Sequence, residues 1–307
     1  MRVFVTGVGG QLGHDVMNEL HKRGHEGIGS DIAPQYSGAQ DGSAVTVMPY
    51  MPLDITDAAA VSRVLREVKP DAVVHCAAWT AVDAAEDMEN QSRVHAINAE
   101  GTANIAEVCK ELDCKMVYIS TDYVFNGQGE RPWQPDCKDY APLNFYGQTK
   151  LEGELAVSSR LEKYFIVRIA WVFGLNGKNF IKTMLKLGET HDTLRVVNDQ
   201  IGTPTYTLDL SRLLVDMIET DKYGYYHATN EGGYISWYDF ARAIFKAAGM
   251  NVNVLPVTTA EYGESKAKRP FNSRLDKSKL TDSGFQPLPD WQDALERYME
   301  NECEGNR

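Results

Sequence analysis

The chain has no long apolar segment. No uninterrupted run among its 307 residues reaches the ~18 apolar residues that a membrane-spanning helix needs. The first residues lead directly into an apolar strand, without the basic and then apolar regions of a secretory signal. These absences argue against a membrane-spanning or secreted protein, and we expect a cytoplasmic location.

The chain has few cysteines, and it has fewer basic than acidic residues. The five cysteines are scattered and form no Cys-x-x-Cys pair: Cys76, Cys109, Cys114, Cys137 and Cys303. We expect reduced thiols, no zinc site and no bound metal. Lysine and arginine number 31 against 43 acidic residues, which gives a formal net charge of −12. That charge disfavours nucleic acids and anionic membranes as partners, and an anionic substrate needs a local basic pocket.

The first half of the chain alternates between short apolar segments and segments with helical periodicity. Strands are predicted at residues 2–6, 27–30, 72–78, 115–120 and 164–170, and helices at 58–68, 90–112 and 146–160. A further helix face is marked by Leu12, Val16 and Leu20. This alternation predicts an α/β protein with a doubly wound, Rossmann-type parallel sheet.

The second half has a less regular rhythm. Helices are predicted at residues 207–219, 237–248 and 291–300, and a strand at 225–228. We predict a dinucleotide-binding Rossmann domain over residues 1–175 and a smaller, discontinuous substrate-binding lobe over residues 176–307. Segment 206–230 is expected to return to the main sheet. Two polar stretches, 33–42 and 126–142, are predicted loops, and the second is a candidate lid.

The first strand runs into a glycine-rich turn, Thr6-Gly-Val-Gly-Gly-Gln-Leu-Gly13. Glycines at positions 7, 10 and 13 permit a tight turn and a close approach of the backbone to a pyrophosphate. The following helix would point its free N–H groups at that anion. The alternative is a glycine-rich turn without a ligand. Its place between a strand and a helix favours dinucleotide binding.

Two aspartates follow strands near the expected adenosine end. Asp31 would accept hydrogen bonds from ribose hydroxyls and would repel a 2′-phosphate, so NAD(H) is favoured over NADP(H). Its alternative role is that of a helix-capping or loop aspartate. Asp54, followed by Ile55, would reach the adenine amino group or, equally, belong to the N-cap region of the next helix.

Small and polar residues close the later strands. Cys76, Ala77 and Ala78 leave room for a cofactor that passes over the sheet edge. Asn98 lies in the next helix, where it would order a proton-relay water or simply be solvated. Thr121 ends the fifth strand and would hydrogen-bond a substrate carbonyl, whereas strand alternation places the competing hydroxyl of Ser120 on the opposite face.

Tyr146 and Lys150 are four residues apart in a predicted helix, so they share one face. We expect the ammonium to lower the pKa of the phenol and so provide a proton donor for a carbonyl that receives hydride. The spacing alone has a real chance rate. Tyr262 and Lys266 repeat it in a stretch that no strand precedes, and we interpret that pair as a coincidence.

Several runs resemble the dTDP-4-dehydrorhamnose reductases, a family of extended short-chain dehydrogenases/reductases. These runs are GQLG at 10–13, TAVDAAE at 80–86, STDYVFNG at 120–127, YGQTKLEGE at 146–154, RIAWVFG at 168–174, NFIKTM at 179–184 and VVNDQIGTPT at 196–205. The resemblance covers nearly the whole chain. It implies that the 4-keto group of a nucleotide sugar is reduced by NADH or NADPH.

The resemblance also implies roles for individual residues. Thr121, Tyr146 and Lys150 would be catalytic. The implied cofactor contacts are Gly7, Gly10, Gln11, Leu12, Gly13, Asp31, Asp54, Ile55, Cys76, Ala77, Ala78, Thr80, Asn98, Ser120, Tyr146, Lys150 and Ile169. The implied substrate contacts are Val82, Asp83, Thr121, Asp122, Tyr123, Trp171 and Asn179.

The pair Asp122-Tyr123 bears on the type of reaction. Nucleotide-sugar dehydratases that resemble this chain carry Asp-Glu at that point, and elimination of water needs that acid and base. With one carboxylate missing, reduction is favoured over dehydration, and epimerisation stays an alternative. Another alternative is a non-catalytic subunit, like the regulatory subunit of methionine adenosyltransferase. The intact set of Thr121, Tyr146 and Lys150 argues against it.

Six basic residues cluster between positions 266 and 279 of this otherwise acidic chain. Lys268, Arg269 or Arg274 would bind the diphosphate of a nucleotide sugar, and we assign Arg269 as the substrate contact. A solvated basic face is the alternative. A homodimer is left open, with no residue assigned to its interface.

Overall fold

A computed structural model describes residues 1–263 and 265–305 of the chain, with side chains as far as residue 302. Its strands are β1 (Arg2–Thr6), β2 (Glu26–Asp31), β3 (Tyr50–Pro52), β4 (Ala72–His75), β5 (Lys115–Thr121), β6 (Tyr164–Ile169), β7 (Val172–Phe173), β8 (Thr193–Val197), β9 (Ile201–Gly202), β10 (Thr205–Tyr206), β11 (Gly224–His227), β12 (Asn230–Glu231), β13 (Ile235–Ser236), β14 (Asn253–Val257) and β15 (Leu288–Asp290). Its α-helices are α1 (Gln11–Lys22), α2 (Ala58–Val68), α3 (Met88–His95), α4 (Gly101–Leu112), α5 (Phe145–Ser158), α6 (Phe180–Gly188), α7 (Thr207–Ile218), α8 (Trp237–Ala247), α9 (Thr259–Tyr262), α10 (Ser278–Asp282) and α11 (Trp291–Gly305).

Seven strands form one parallel sheet in the order β3-β2-β1-β4-β5-β6-β11. The chain proceeds outward from β1 to β3 and then restarts on the other side of β1 with β4. The predicted doubly wound, Rossmann-type fold is therefore confirmed. The crevice between the carboxyl ends of β1 and β4 is the switch point, where sheets of this kind bind ligands.

Alternation along β1 sends side chains into two separate cores. Val3 and Val5 join one core, which α1 and α7 cover, whereas Phe4 joins the other, which α2 and α4 cover. All three side chains are fully buried. A strand that is apolar on both faces is the expected sequence for a parallel sheet between two helical layers.

A third core lies outside the main sheet. It is formed by α6, α8 and α11 with the short parallel pair β8 and β14. Strand β11, in contrast, pairs with β6, and α7 packs against α1. The segment expected to return therefore does lie on the main sheet, while the division into two lobes at residue 175 stays a prediction.

The long helix predicted over residues 90–112 begins earlier and is not regular. It starts at Met88, and a π-helical turn, Ala96–Glu100, joins α3 to α4. A π-turn inside a helix is rare and tends to occur near functional sites, because it turns side chains out of the regular register. Here the turn faces the exit of β4 and the start of α5.

Segment 126–142, the candidate lid, is anchored to the body of the protein. Its Trp133 stacks on Phe125 with ring centroids 4.5 Å apart, and the Trp133 N–H donates to the Arg274 carbonyl at 2.9 Å. The carbonyl of Pro135 accepts a hydrogen bond from buried Arg168 at 2.9 Å. These contacts hold the segment in place as a wall of the structure. It is therefore not a freely moving lid.

Two further observations bear on the expected class of protein. None of the helices in the described part of the chain has the length and apolar composition needed to cross a bilayer. The four cysteines whose side chains are described, Cys76, Cys109, Cys114 and Cys137, are free thiols. The side chain of Cys303 lies outside the described residues.

Candidate active site

A cavity of about 790 Å³ runs along the carboxyl edge of the main sheet. Most of the residues predicted from the sequence line it. They are Gly7, Gly10, Gln11, Leu12, Gly13, Asp31, Asp54, Ile55, Cys76, Ala77, Ala78, Thr80, Val82, Ser120, Thr121, Asp122, Tyr123, Tyr146, Lys150, Ile169 and Trp171. Their common location is a property of the fold. Their roles toward a ligand stay predictions.

The glycine turn is shaped by two close approaches. Gly7 has φ of +71°, and a Cβ there would lie 2.6 Å from the backbone nitrogen of Ala77. A Cβ on Gly13 would collide with the carbonyl of Gly7, so α1 packs directly on the end of β1. The N-cap of α1, Gly10, has no side-chain cap, which leaves the first N–H groups of the helix for an anion.

Two buried serine hydroxyls at this edge have no hydrogen-bond partner among the described residues. The Oγ atoms of Ser30 and Ser120 have no hydrogen-bond partner among the described residues, although both side chains are buried and both residues line the cavity. A buried hydroxyl without a partner is costly, so a ligand that supplies one fits well. Ser120 and Thr121 both line the cavity where β5 ends, so alternation along the strand does not remove Ser120 from it.

The two aspartates near the adenosine end each bind backbone. The Asp31 carboxylate accepts from the N–H of Gly9 at 3.0 Å and from that of Ile32 at 2.8 Å. Asp54 accepts from the N–H of Thr56 at 2.9 Å, while Asp57 is the N-cap of α2. The local turn-forming role is therefore present in both, and each also lines the cavity.

The three proposed catalytic residues meet where β5 ends and α5 begins. Asn144 caps α5, with its side chain accepting from the Gly147 N–H at 2.8 Å, and so places Tyr146 in the first turn. Lys150 follows one turn later and is buried. The Thr121 hydroxyl donates to the Asp122 carboxylate at 3.0 Å. Thr121, Asp122, Tyr146 and Lys150 all line the cavity.

The electrostatics differ from the sequence expectation. Burial, reinforced by the Asp122 carboxylate, raises the pKa of Tyr146, and a hydrogen bond with Thr121 only partly offsets the rise. Burial also lowers the pKa of Lys150 to about 7, and its ammonium nitrogen lies 4.1 Å from the ring centroid of Tyr118. The prediction that Lys150 acidifies Tyr146 is wrong for the chain alone, because burial and the Asp122 carboxylate both raise the pKa of the phenol.

The lowered pKa of Lys150 should make the stability of the protein depend on pH. Its folded-state pKa of about 7 lies below the ordinary 10.5, so the folded chain binds fewer protons than the unfolded chain between these values. Stability should therefore rise with pH there, by at most about 1.4 kcal/mol per pH unit. We expect the free energy of unfolding in urea to rise from pH 7 to pH 10 relative to that of Lys150→Met. Parallel curves for the two proteins would contradict the shift.

Asp122 is the one carboxylate among these catalytic neighbours. Burial raises its pKa to about 6, against hydrogen bonds from Ser273 and Thr121 that lower it. Its neighbour Tyr123 has a pKa that burial raises, so it is no substitute for a second carboxylate at neutral pH. Of the pair Asp122-Tyr123, only Asp122 supplies a carboxyl group, whereas elimination of water calls for an acid and a base at this point.

Trp171 adds a strained backbone to the cavity wall. Its φ is +51°, a conformation that non-glycine residues adopt at a cost, and its ring stacks on Trp237 with centroids 3.8 Å apart. Strain of this kind persists only where the surrounding packing enforces it, and it concentrates at binding sites. The observation supports the predicted substrate contact at Trp171 without testing it.

Asn98 does not line the cavity, and the idea that it is solvated is wrong. Its amide is buried, accepting from the Trp79 N–H at 2.8 Å and donating to the Trp79 carbonyl at 3.2 Å. It also donates to the Thr149 hydroxyl at 3.1 Å. Asn98 therefore ties the exit of β4 to the catalytic helix, and its role toward a cofactor or a proton-relay water stays a prediction.

Asn179 is also engaged elsewhere. Its side chain caps α6 by accepting from the Lys182 N–H at 3.0 Å. Its amide nitrogen donates to Gln11 Oε1 at 3.1 Å and to the Gly174 carbonyl at 2.8 Å. Asn179 is not among the residues that line the cavity. In this structure Asn179 connects the glycine turn to α6, and its substrate contact stays a prediction.

Asp83 and Arg269 bind each other instead of facing the cavity. Two hydrogen bonds of 3.2 and 2.5 Å join the guanidinium to the carboxylate, and these lower the pKa of Asp83. The neighbouring cations pair similarly: Lys266 with Asp87, Lys277 with Glu231 and Lys279 with Asp136. Four of the six basic residues are thus ion-paired, whereas Lys268 and Arg274 have no ion pair among the described residues. The diphosphate contact of this cluster stays a prediction.

Comparison with known proteins identifies the family of this chain. A family model described as the RmlD substrate binding domain matches residues 1–303. The chain belongs to the RmlD substrate-binding domain family. The predicted resemblance is thereby confirmed.

Relatives of this RmlD-family chain include several dTDP-4-dehydrorhamnose reductases. A dTDP-4-dehydrorhamnose reductase of Streptomyces griseus is 38% identical over 300 residues, which cover 96% of this chain and 91% of that one. The crystal structure of a dTDP-4-dehydrorhamnose reductase from Clostridium acetobutylicum is 40% identical, with a TM-score of 0.88 and coverage of 98% and 99%. A Bacillus anthracis dTDP-4-dehydrorhamnose reductase, solved in complex with NADP, is 39% identical, with a TM-score of 0.85 and the same coverage.

Sequence reasoning missed part of the cavity of this RmlD-family chain. The additional lining residues are Thr6, Ser30, Ile32, Leu53, Arg93, Ile97, Ile119, Ala170, Val172, Gly177 and Lys178. Many of them directly precede or follow a predicted contact at a strand end. The ends of the predicted strands could therefore have indicated these residues as well. Gly177 and Lys178 lie in a loop after β7, where no periodicity pointed to the cavity.

Proposed function

We propose that the chain reduces the C4 keto group of a deoxy-sugar nucleotide, as in the conversion of dTDP-4-dehydrorhamnose to dTDP-rhamnose. The observation that carries this proposal is a single cavity that is lined both by the glycine turn and by Thr121, Tyr146 and Lys150. A nicotinamide dinucleotide would supply the hydride. Family membership and the reductase names of relatives support the same reaction.

The residues of the chain supply the proton and the orientation. Tyr146, whose raised pKa keeps its hydroxyl protonated at neutral pH, donates that proton to the keto oxygen as the oxygen gains charge. When the sugar binds, the Thr121 hydroxyl would turn its hydrogen from the Asp122 carboxylate to the same oxygen and fix its position. Lys150 lies one helical turn behind Tyr146, where its charge stabilises the phenolate that remains.

We propose NAD(H) as the preferred cofactor. Asp31 lies in the cavity beside the glycine turn, and a 2′-phosphate there would meet its carboxylate. Residues 32–43 contain no Lys, Arg or His that could bind such a phosphate. The related Bacillus anthracis enzyme was solved with NADP, which supports a nicotinamide dinucleotide as the cofactor. The preference for NADH over NADPH is the part of the proposal that needs a test.

One assay tests both statements. The purified chain is given a dTDP-4-keto-6-deoxy sugar with NADH and, separately, with NADPH, and the loss of reduced cofactor is followed together with the product. We expect one reduced cofactor consumed for each sugar reduced and a higher kcat/KM with NADH. Turnover of the sugar without net consumption would indicate an epimerase or dehydratase. Absence of any turnover would favour a non-catalytic subunit.

Three further features stay predictions attached to this function. The nucleotide sugar is the expected small-molecule partner. A homodimer has no interface assigned to it. The cytoplasmic location is an expectation from the sequence.

A further inference from the structure

A loop from the second half of the chain covers the glycine turn. Asn176 is buried, and its amide nitrogen donates to the carbonyl of Gly9 at 2.9 Å and to that of Gly10 at 3.1 Å. Its amide oxygen accepts from the Ala39 N–H at 3.1 Å. One side chain thus fixes the loop, the glycine turn and segment 33–42 together, and it engages carbonyls of the turn so that they need no other donor.

The same loop is held firmly on both sides of Asn176. The ammonium of Lys182 donates to the Leu175 carbonyl, and Asn179 donates to the side chain of Gln11. Gly177 has φ of +81°, and a Cβ there would lie 3.3 Å from Cγ of Gln11. The loop therefore reaches the first residue of α1, whose N-terminal N–H groups are free for an anion.

Lys178 is the cation that this loop brings to the cavity. It lines the cavity, is exposed and has no ion pair among the described residues. Two other cations line the cavity, but Lys150 belongs to the catalytic end and Arg93 lies over the ring of Trp79, 5.7 Å from its centroid. Lys178 is thus a cation that lines the cavity next to the glycine turn and has no ion pair among the described residues. Such a cation can attract an anionic ligand in a chain whose net charge is −12.

We propose that Lys178, on the loop that Asn176 connects to the glycine turn, binds the diphosphate of the dinucleotide. The proposal rests on the proposed function, since it needs a dinucleotide at that turn. The nucleotide sugar also carries a diphosphate. The contact of Gly177 with Gln11 places Lys178 beside the glycine turn, so the dinucleotide is the diphosphate we assign.

The test compares two variants that lose the same charge. Lys178→Met removes the proposed contact, and Lys186→Met, at an exposed residue of α6 outside the cavity, is the control. We expect the Kd of NADH, measured by its fluorescence at low ionic strength, to rise about five- to tenfold for Lys178→Met and to stay unchanged for Lys186→Met. The difference should shrink as salt screens the charge. The Kd of dTDP, measured by calorimetry, should be the same for both.

Each other outcome has a definite meaning. Equal NADH affinity for the two variants, or a loss confined to dTDP, overturns the assignment of Lys178 and leaves the proposed reduction intact. Failure of the unmodified chain to bind NADH at all overturns the proposed function and this inference together. Because Lys178 is exposed, both variants should fold, and matching thermal unfolding curves for them check that point.

Discussion

Replacing Tyr146 with Phe should lower turnover by at least a hundredfold while NADH still binds. The substitution removes only the hydroxyl, and general acids of this kind contribute ~10²–10⁴ in rate. The ring should keep its place, because it packs edge-on against Tyr123 with centroids 5.6 Å apart. The measurement is steady-state kcat with saturating NADH and sugar nucleotide, together with the Kd of NADH.

The chain contains its own control for this experiment. Tyr262 has a lysine four residues later, as Tyr146 does, but its side chain is 60% exposed and Lys266 pairs with Asp87 at 2.7 Å. Tyr262→Phe should therefore turn over like the unmodified chain. Near-wild-type turnover in Tyr146→Phe, or an equal loss in both variants, would remove Tyr146 from the reaction.

The part of this site that the sequence could predict is the part with local geometry. Tyr146 and Lys150 share a helix face because they are four residues apart, whatever the rest of the fold does. The glycine turn is similarly local, since it needs only a strand before it and a helix after it. Strand ends such as Thr121 follow from the topology, because parallel strands bring all their carboxyl ends to one edge.

The remaining contacts depend on residues far apart in the chain. Arg269 and Asp83 are separated by 186 positions, so nothing near either residue indicates that they neutralise each other. Asn98 binds Trp79 and Thr149 from two other elements. The direction of the Tyr146 pKa shift was missed for a related reason. Spacing reveals the neighbouring charge, but only the fold reveals how much water has been removed.

Arg168 is a residue that the local sequence marks and only the fold explains. It interrupts the apolar strand β6 (Tyr164–Ile169), and its side chain is fully buried. Its guanidinium makes two hydrogen bonds to Glu154, at 2.8 and 2.7 Å, and a third to the Pro135 carbonyl at 2.9 Å. The pair therefore joins the central sheet to the catalytic helix and to the wall segment 126–142.

Arg168→Met should cost about 3–5 kcal/mol of unfolding free energy, because it leaves the Glu154 carboxylate buried without its partner. Urea denaturation measures the loss. The matched control is Asp113→Asn in the exposed pair with Lys163, which is 2.6 Å long and should contribute less than about 1 kcal/mol.

A second substitution separates the buried charge from the lost packing. In Arg168→Met combined with Glu154→Leu, no unpaired charge is left, so the double variant should be more stable than Arg168→Met alone. Simple addition of the two single losses would mean that Glu154 and Arg168 act independently, against the geometry. Because Glu154 lies one turn beyond Lys150 on α5, a stable double variant would also show whether the catalytic helix keeps its position through this ion pair or through packing alone.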